Sequence, residues 1–238
     1  MARQSPLLGV GCHVVLVDGT PTLDARELRG LASRETGQFH PTLSEFLKRL
    51  YTKRIGAREI EAEAAAQIAL LQSYGLRLTH IDTHKHTHMF PAVLRPVLRA
   101  ARAAGICAVR NPFEPEWSIN ATQEAPEMRR IQVIMLRRFE RAFRRIVTEE
   151  GFSTTDGSIG VLATGSVDIG AITGLLSSMP EGTFELVSHP GYKDAALERA
   201  NTRLLTSREI ERNALLAISG FPGIELISFA DLKPAAKR

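Results

Sequence analysis

The sequence predicts an α/β fold: a parallel sheet with crossover helices, barrel-like or doubly wound. Three observations carry the prediction. Short apolar runs alternate with amphipathic stretches along the chain, the pattern of βαβ units whose right-handed crossovers build parallel sheets. No internal repeat or low-complexity tract interrupts that alternation. A dense polar cluster, Thr79-His-Ile-Asp-Thr-His-Lys-His-Thr-His-Met-Phe-Pro91, falls just after a strand and just before a helix, where α/β enzymes keep their chemistry. About six strands are legible, so a complete eight-unit barrel is not accounted for.

The elements follow in order. Residues 8–17 (LGVGCHVVLV) read as a strand, and 18–41, polar and punctuated by Gly and Pro, as a long loop able to overhang a site. Helices are expected at 42–54 and 57–74; in the second, Ile60, Ala64, Ile68 and Leu71 recur at helical spacing. Alternating apolar residues from Leu76 to Ile81 form a strand running into the histidines. Pro91 opens a helix to 104 carrying Val93, Leu94, Val97, Leu98 and Ala101. A short strand at 106–110 and an irregular loop at 111–126 come next. Helix 127–149 has Ile131, Met135, Phe139, Ala142, Phe143 and Ile146 on one face. A strand within 155–162, a helix at 168–178 and a strand at 185–188 ending in His189-Pro-Gly-Tyr192 follow. Helices at 194–204 and 207–219 and a last strand at 225–228 complete the chain.

With 238 residues, 44% hydrophobic and 24% charged, the composition is that of ordinary globular protein, enough for one large α/β domain. No 18-residue apolar stretch is present, which excludes a helical membrane span. The N-terminal residues lack the apolar core of a signal peptide, and the expected location is the cytoplasm. Cys12 and Cys107, each in an apolar run, read as buried free thiols. The net charge of +4 is concentrated in helix 127–149, so it is weak evidence for nucleic acid and no such partner is expected. Arg129, Arg130, Arg137, Arg138, Arg141, Arg144 and Arg145 there read as a solvated face; contact with anionic lipid headgroups is the alternative.

Four of the seven histidines, His80, His84, His86 and His88, lie within nine residues. Imidazole is the commonest protein ligand for a transition-type metal at neutral pH. In an extended segment the alternation places Asp82, His84, His86 and His88 on one face. His13 stands at another strand end, after two glycines that permit close approach of backbone or ligand. His189 follows a third strand, and Arg110 a fourth, where it can clamp a substrate oxygen or serve as an ion-pair partner. Two imidazoles from different strands plus a carboxylate make a site with open positions. With a base and a further histidine as acid, such a set suits hydrolysis of an amide or ester.

The segments GVGCHVVLVDGTPTL, THIDTHKHTHMFP, VRNPFEP and SHPGY, in this order, resemble the YdjC-like carbohydrate deacetylases, which include chitooligosaccharide and hopanoid-biosynthesis-associated deacetylases. The resemblance covers nearly the whole chain. It implies a single YdjC-like domain over 1–238 with a distorted (β/α) barrel. It implies a metal-dependent hydrolase that removes N-acetyl groups from an amino sugar, free or lipid-linked. The resemblance makes His13 and His84 the metal ligands and places His189 at the site's rim, a candidate acid. His86 and His88 would line or support the site, and with Arg110 they are the expected substrate-binding residues. The expected cofactor is a divalent ion, Mg²⁺ by the resemblance or Zn²⁺ by the donor set. The family also opens with a strand ending in Asp-Asp-Phe-Gly that supplies a carboxylate ligand and the base. This motif is absent from the sequence, so the expectation is a chain lacking one N-terminal β–α unit. A misassigned start codon, a fragment or a degenerate paralogue would each account for that. Asp82 is then the first candidate for the base. The rival readings are a sugar-binding pseudo-enzyme without the catalytic Asp, and a different metal-dependent amidohydrolase or esterase.

Overall fold

The computed structural model describes residues 2–5, 7–122, 125–199, 202, 204–218 and 221–232. In chain order its elements are β1 (Val10–Val14), α1 (Leu43–Tyr51), α2 (Ala57–Ser73), β2 (Leu78–Thr83), α3 (Pro91–Ala103), α4 (Glu116–Ala121) and α5 (Glu127–Leu136). Then come α6 (Glu140–Glu149), β3 (Gly157–Ile159), α7 (Ile169–Ser177), β4 (Phe184–Leu186), α8 (Ala195–Glu198) and α9 (Ser207–Ala217). The result is a mixed α/β fold with parallel strands. The chain divides into two compact units, one of Met1–Arg110, Phe139–Thr154 and Ile227–Arg238, the other of Asn111–Arg138 and Thr155–Leu226.

In the first unit β1 and β2 pair in parallel, with Cys12 opposite Ile81, His13 opposite Asp82 and Val14 opposite Thr83. The ladder extends beyond β2 through parallel bridges from Ile81 to Val109 and from Ala108 to Ser153. The expected strand at 106–110 is thus present only as bridging backbone: Ile81 N–H donates to the Ala108 carbonyl, and Val109 N–H to that of Ser153. α2 and α3 pack on each other. Ile60, Ala64 and Ile68 of α2 and Val93, Leu94, Val97 and Leu98 of α3 are buried, the stripes that the 3.6-residue period marks. α1 starts on Thr42, whose side chain accepts from Glu45 N–H, the usual N-cap bond.

Residues 18–41 are irregular but firmly held. The buried Glu63 carboxylate accepts the N–H groups of Thr22 and Leu23 at 2.7 and 3.0 Å, and Glu59 accepts those of Gly30 and Leu31 at 2.9 and 3.0 Å. Where β1 ends, the Gln67 amide bonds both backbone groups of Val15: N–H to Oε1 at 2.9 Å, and Nε2 to the carbonyl at 2.7 Å. Gly9 and Gly11 make room inside the protein rather than for a ligand. A Cβ on Gly11 would stand 2.3 Å from His80 Nε2, and one on Gly9 3.1 Å from the Ser228 Cβ.

In the second unit β3 and β4 pair in parallel, Ser158 opposite Glu185. Ile172 of α7 and Ala214 of α9 share a small core with Ala163 and Val167. The buried Glu114 accepts from Ser118 Oγ at 2.6 Å and from Gly160 and Leu162 N–H at 3.1 and 2.5 Å. Burial pushes its carboxyl up, and these donors oppose the rise.

Several expectations need correction. Helix 127–149 is broken at Arg137–Phe139. Phe143 and Ile146 of α6 are buried, while Ile131 and Met135 of α5 are exposed, so the apolar face is not continuous. Arg129 grips the carbonyls of Thr164 and Val161, and Arg130 those of Ile119 and Thr122. Two of the seven arginines therefore hold backbone rather than water or lipid. The loop at 111–126 contains α4, too short for periodicity to reveal. Residues 225–228 form no strand, because Ser228 and Asp231 close a capping box that takes the backbone donors of Ser228 and Ala230. Helix 194–204 is described only as α8; residues 200, 201 and 203 lie outside the described residues, as does 219. Cys12 is buried, as expected, but Cys107 is exposed. Among the described residues no helix is long and apolar enough to cross a membrane.

Candidate active site

Parallel register builds the centre of the first unit. Because His13 stands opposite Asp82, His13 Nδ1 lies 2.9 Å from each Asp82 carboxylate oxygen. A carboxylate only accepts, so Nδ1 donates; in the neutral ring Nε2 then carries the lone pair. Arg110 Nη1 also donates to Asp82 Oδ2. Burial alone would raise the Asp82 carboxyl, but the His13 hydrogen bond and the charges of Arg110, His13 and His88 outweigh it and hold the pKa at about 2. Asp82 is therefore a fixed anion behind the imidazole.

His13 Nε2 faces His84 Nδ1 at 3.4 Å, with the rings edge to face. Two nitrogens 3.4 Å apart can each lie ~2.1 Å from one point and subtend about 108° there, close to the tetrahedral preference of zinc. Two neutral imidazoles, one of them backed by a carboxylate, also match the second-shell pattern of metal-ligating histidines. The pair fits a divalent ion. Burial, then the neighbouring His13 and Lys85 charges, hold His84 below its ordinary pKa, with Asp18 and Asp82 opposing. Among the described residues no group of three His, Cys, Asp or Glu side chains is arranged around one point.

The histidine cluster does not form one extended face. β2 stops at Thr83, and His84–Met89 is a pair of 3-10 turns across a kink. Lys85 and His86 hold left-handed backbone, φ 53° and 51°, which is unusual outside glycine. Three bonds brace the kink. Lys85 Nζ reaches Asp18 Oδ2 at 2.9 Å, tying the 18–41 loop to the turn. Inside, Thr83 Oγ1 accepts from Thr87 Oγ1 at 2.9 Å and from His88 N–H at 2.8 Å.

That kink sends the four histidines to different places. His88 is fully buried; its Nε2 donates to the Arg110 carbonyl at 3.1 Å, and its Nδ1 accepts from Thr83 Oγ1 at 2.8 Å. Burial, then His86, push its pKa down to about 3, so the ring is neutral and every group in the network is satisfied. This geometry is support: His88 holds the backbone of Arg110, Arg110 holds Asp82, and Asp82 holds His13. His86 is half-buried, its ring centroid 6.1 Å from that of His88. His80 stacks on Phe229 at 4.0 Å and is pushed down to about 4, by burial first and then by Arg110.

His189 belongs to the second unit, just past β4. Its backbone N–H donates to Glu211 Oε2, and its Nδ1 lies 4.0 Å from the same oxygen. Glu211 is fully buried on α9 and also accepts Gly165 N–H at 3.3 Å. Sequence reasoning missed Glu211, Glu63 and the Asp18–Lys85 pair, because partners so far apart in sequence leave no local signal.

The molecule is a parallel α/β protein in which His13 and His84 meet at the ends of β1 and β2, His13 backed by a buried carboxylate. More particularly, the chain belongs to the YdjC-like family, whose model matches residues 1–218. A carbohydrate deacetylase of Brevibacillus brevis is 27% identical over 198 residues, covering 83% of this chain and 65% of that protein. One from Clostridium beijerinckii is 24% identical over 98% of this chain and 81% of that protein. The chain therefore spans about two thirds of the Brevibacillus protein's length. A crystal structure of a protein from Enterococcus faecalis described as a cellobiose-phosphate cleavage protein shares the fold: TM-score 0.64, 20% identity, 90% of this chain and 72% of that one.

Proposed function

We propose that the chain belongs to a hydrolase that removes an N-acetyl group from an amino sugar, with His13 and His84 presenting a divalent cation. The observation that carries this reading is the His13 Nε2 to His84 Nδ1 separation of 3.4 Å, with Nδ1 of His13 turned to Asp82. The names of the relatives supply the sugar and the acetyl group. A bound divalent ion supplies Lewis-acid polarisation of a carbonyl and acidifies water. The rest falls to side chains. Asp82 keeps the His13 lone pair aimed outward and balances charge at the site. With His13 and Arg110 on its oxygens, it suits orientation better than proton abstraction. His88 and Arg110 fix Asp82 in turn. His86 and the outer part of the Lys85 turn are the groups proposed to face the sugar. His189 is proposed to protonate the departing amine. The fold is proposed to be the distorted (β/α) barrel of the family.

The two-imidazole set favours Zn²⁺ over Mg²⁺. The test is acetate release from N-acetylated chitooligosaccharides by metal-loaded protein, with bound metal measured in parallel. Acetate release that disappears with His84→Ala, together with the metal, is the expected result. A second reading, a sugar-binding module without turnover, draws on the missing third ligand among the described residues. It predicts sugar binding and no acetate.

A further inference from the structure

We propose that Glu211 is a positioning residue for His189, fixing the point from which that imidazole works. This rests on the reading of His189 as proton donor in amide hydrolysis. The carboxylate is fully buried in mid-helix, and a charge placed there must be compensated by donors. Its donors come from the backbone of two other segments: His189 N–H on Oε2 and Gly165 N–H on Oε1. One side chain thus joins the end of the β4 segment to the Gly165 turn. A residue that only filled volume could be leucine; the two N–H groups require an acceptor with two oxygens.

The remainder of α9 acts on the same segment. Pro190 has no N–H, so the donors flanking it are those of His189 and Gly191. Gly191 N–H goes to the Arg208 carbonyl at 3.1 Å, so α9 takes both. The Arg212 guanidinium lies 4.3 Å from the centre of the Tyr192 ring. Residues 208, 211 and 212, spaced i, i+3 and i+4, share one helix face, and that face holds His189, Gly191 and Tyr192. The backbone carrying the imidazole is thereby held from three points.

The test is Glu211→Gln in the full, metal-loaded chain. kcat for acetate release should fall about ten-fold or more, with KM and bound metal within about two-fold of the parent. In a His189→Gln background the same substitution should cost nothing further, because its effect passes through His189. Losses that multiply in the double variant would show Glu211 propping the fold and overturn the proposal. If the parent chain releases no acetate, the functional reading fails, and the positioning claim is decided by NMR on labelled protein. The amide protons of His189 and Gly165 should then move upfield together in Glu211→Gln, with changes confined to their two segments. An unmoved His189 amide overturns it. Should Glu211→Gln not fold, Glu211→Asp keeps the charge one methylene short; it should lose kcat at constant KM, and parent-level kcat would overturn the proposal.

Discussion

Each unit of this protein sets a histidine beside a buried carboxylate, and the two pairs are made differently. In the first, Asp82 turns both oxygens to the ring of His13. In the second, Glu211 turns its oxygens to the main chain, and the His189 ring stands 4.0 Å away. The first arrangement decides which nitrogen carries the proton. The second decides where the main chain of the residue stands. A ring that must keep one tautomer needs the former, and a residue whose main chain must be placed needs the latter.

The largest expected effect comes from removing the imidazole that His13 faces across from Asp82. His84→Ala should lower acetate release by at least about a thousand-fold and empty the metal site, as read by elemental analysis. Asp82→Asn comes next. It keeps the shape but frees the His13 tautomer, so metal affinity should fall by about 10–100-fold, measured by competition with a chelating dye. Set against Glu211→Gln, which should leave metal affinity alone, it sharpens the comparison; equal losses in both would erase it.

Acid should weaken the first unit through its core histidines. His80 and His88 have folded pKa values lowered to about 4 and 3 from 6.5. Between those values and 6.5 the unfolded chain binds more protons than the folded one, so stability falls as pH drops. Urea melts of the chain should be steady above about pH 7 and lose several kcal/mol between about pH 6.5 and 4. Flat stability over that window would contradict the buried, neutral state of His88. The smallest effect is steric. Gly11→Ala drives a methyl against His80 beside the His13 register and should cost about 1–3 kcal/mol in thermal melts, with metal affinity changed less than by Asp82→Asn.

Much of this was legible in the sequence where one face of an element is apolar. α2 and α3 follow their stripes within a residue or two, β1 lies inside its expected run, and β2 and β4 are offset from theirs by up to two residues. The histidine strand was legible only as far as Thr83. Beyond it the alternation promised a common face, but Lys85 and His86 take left-handed backbone, which neither residue type announces. That His13 meets Asp82 depends on parallel register between residues 69 apart in sequence, which no local pattern encodes. The strand expected at 225–228 failed for the opposite reason: apolar residues were present, but Ser228 and Asp231 bind each other's backbone first.

Gln67 has a bearing on solubility. A strand end offers its free N–H and C=O to any passing chain, the usual route to intermolecular sheet growth. Here the Val15 donor and acceptor are both taken by one amide side chain from α2, which imitates the peptide group of a neighbouring strand. The first strand is terminated by an internal decoy, and this stretch of backbone is closed to recruitment by another copy for as long as α2 stays folded.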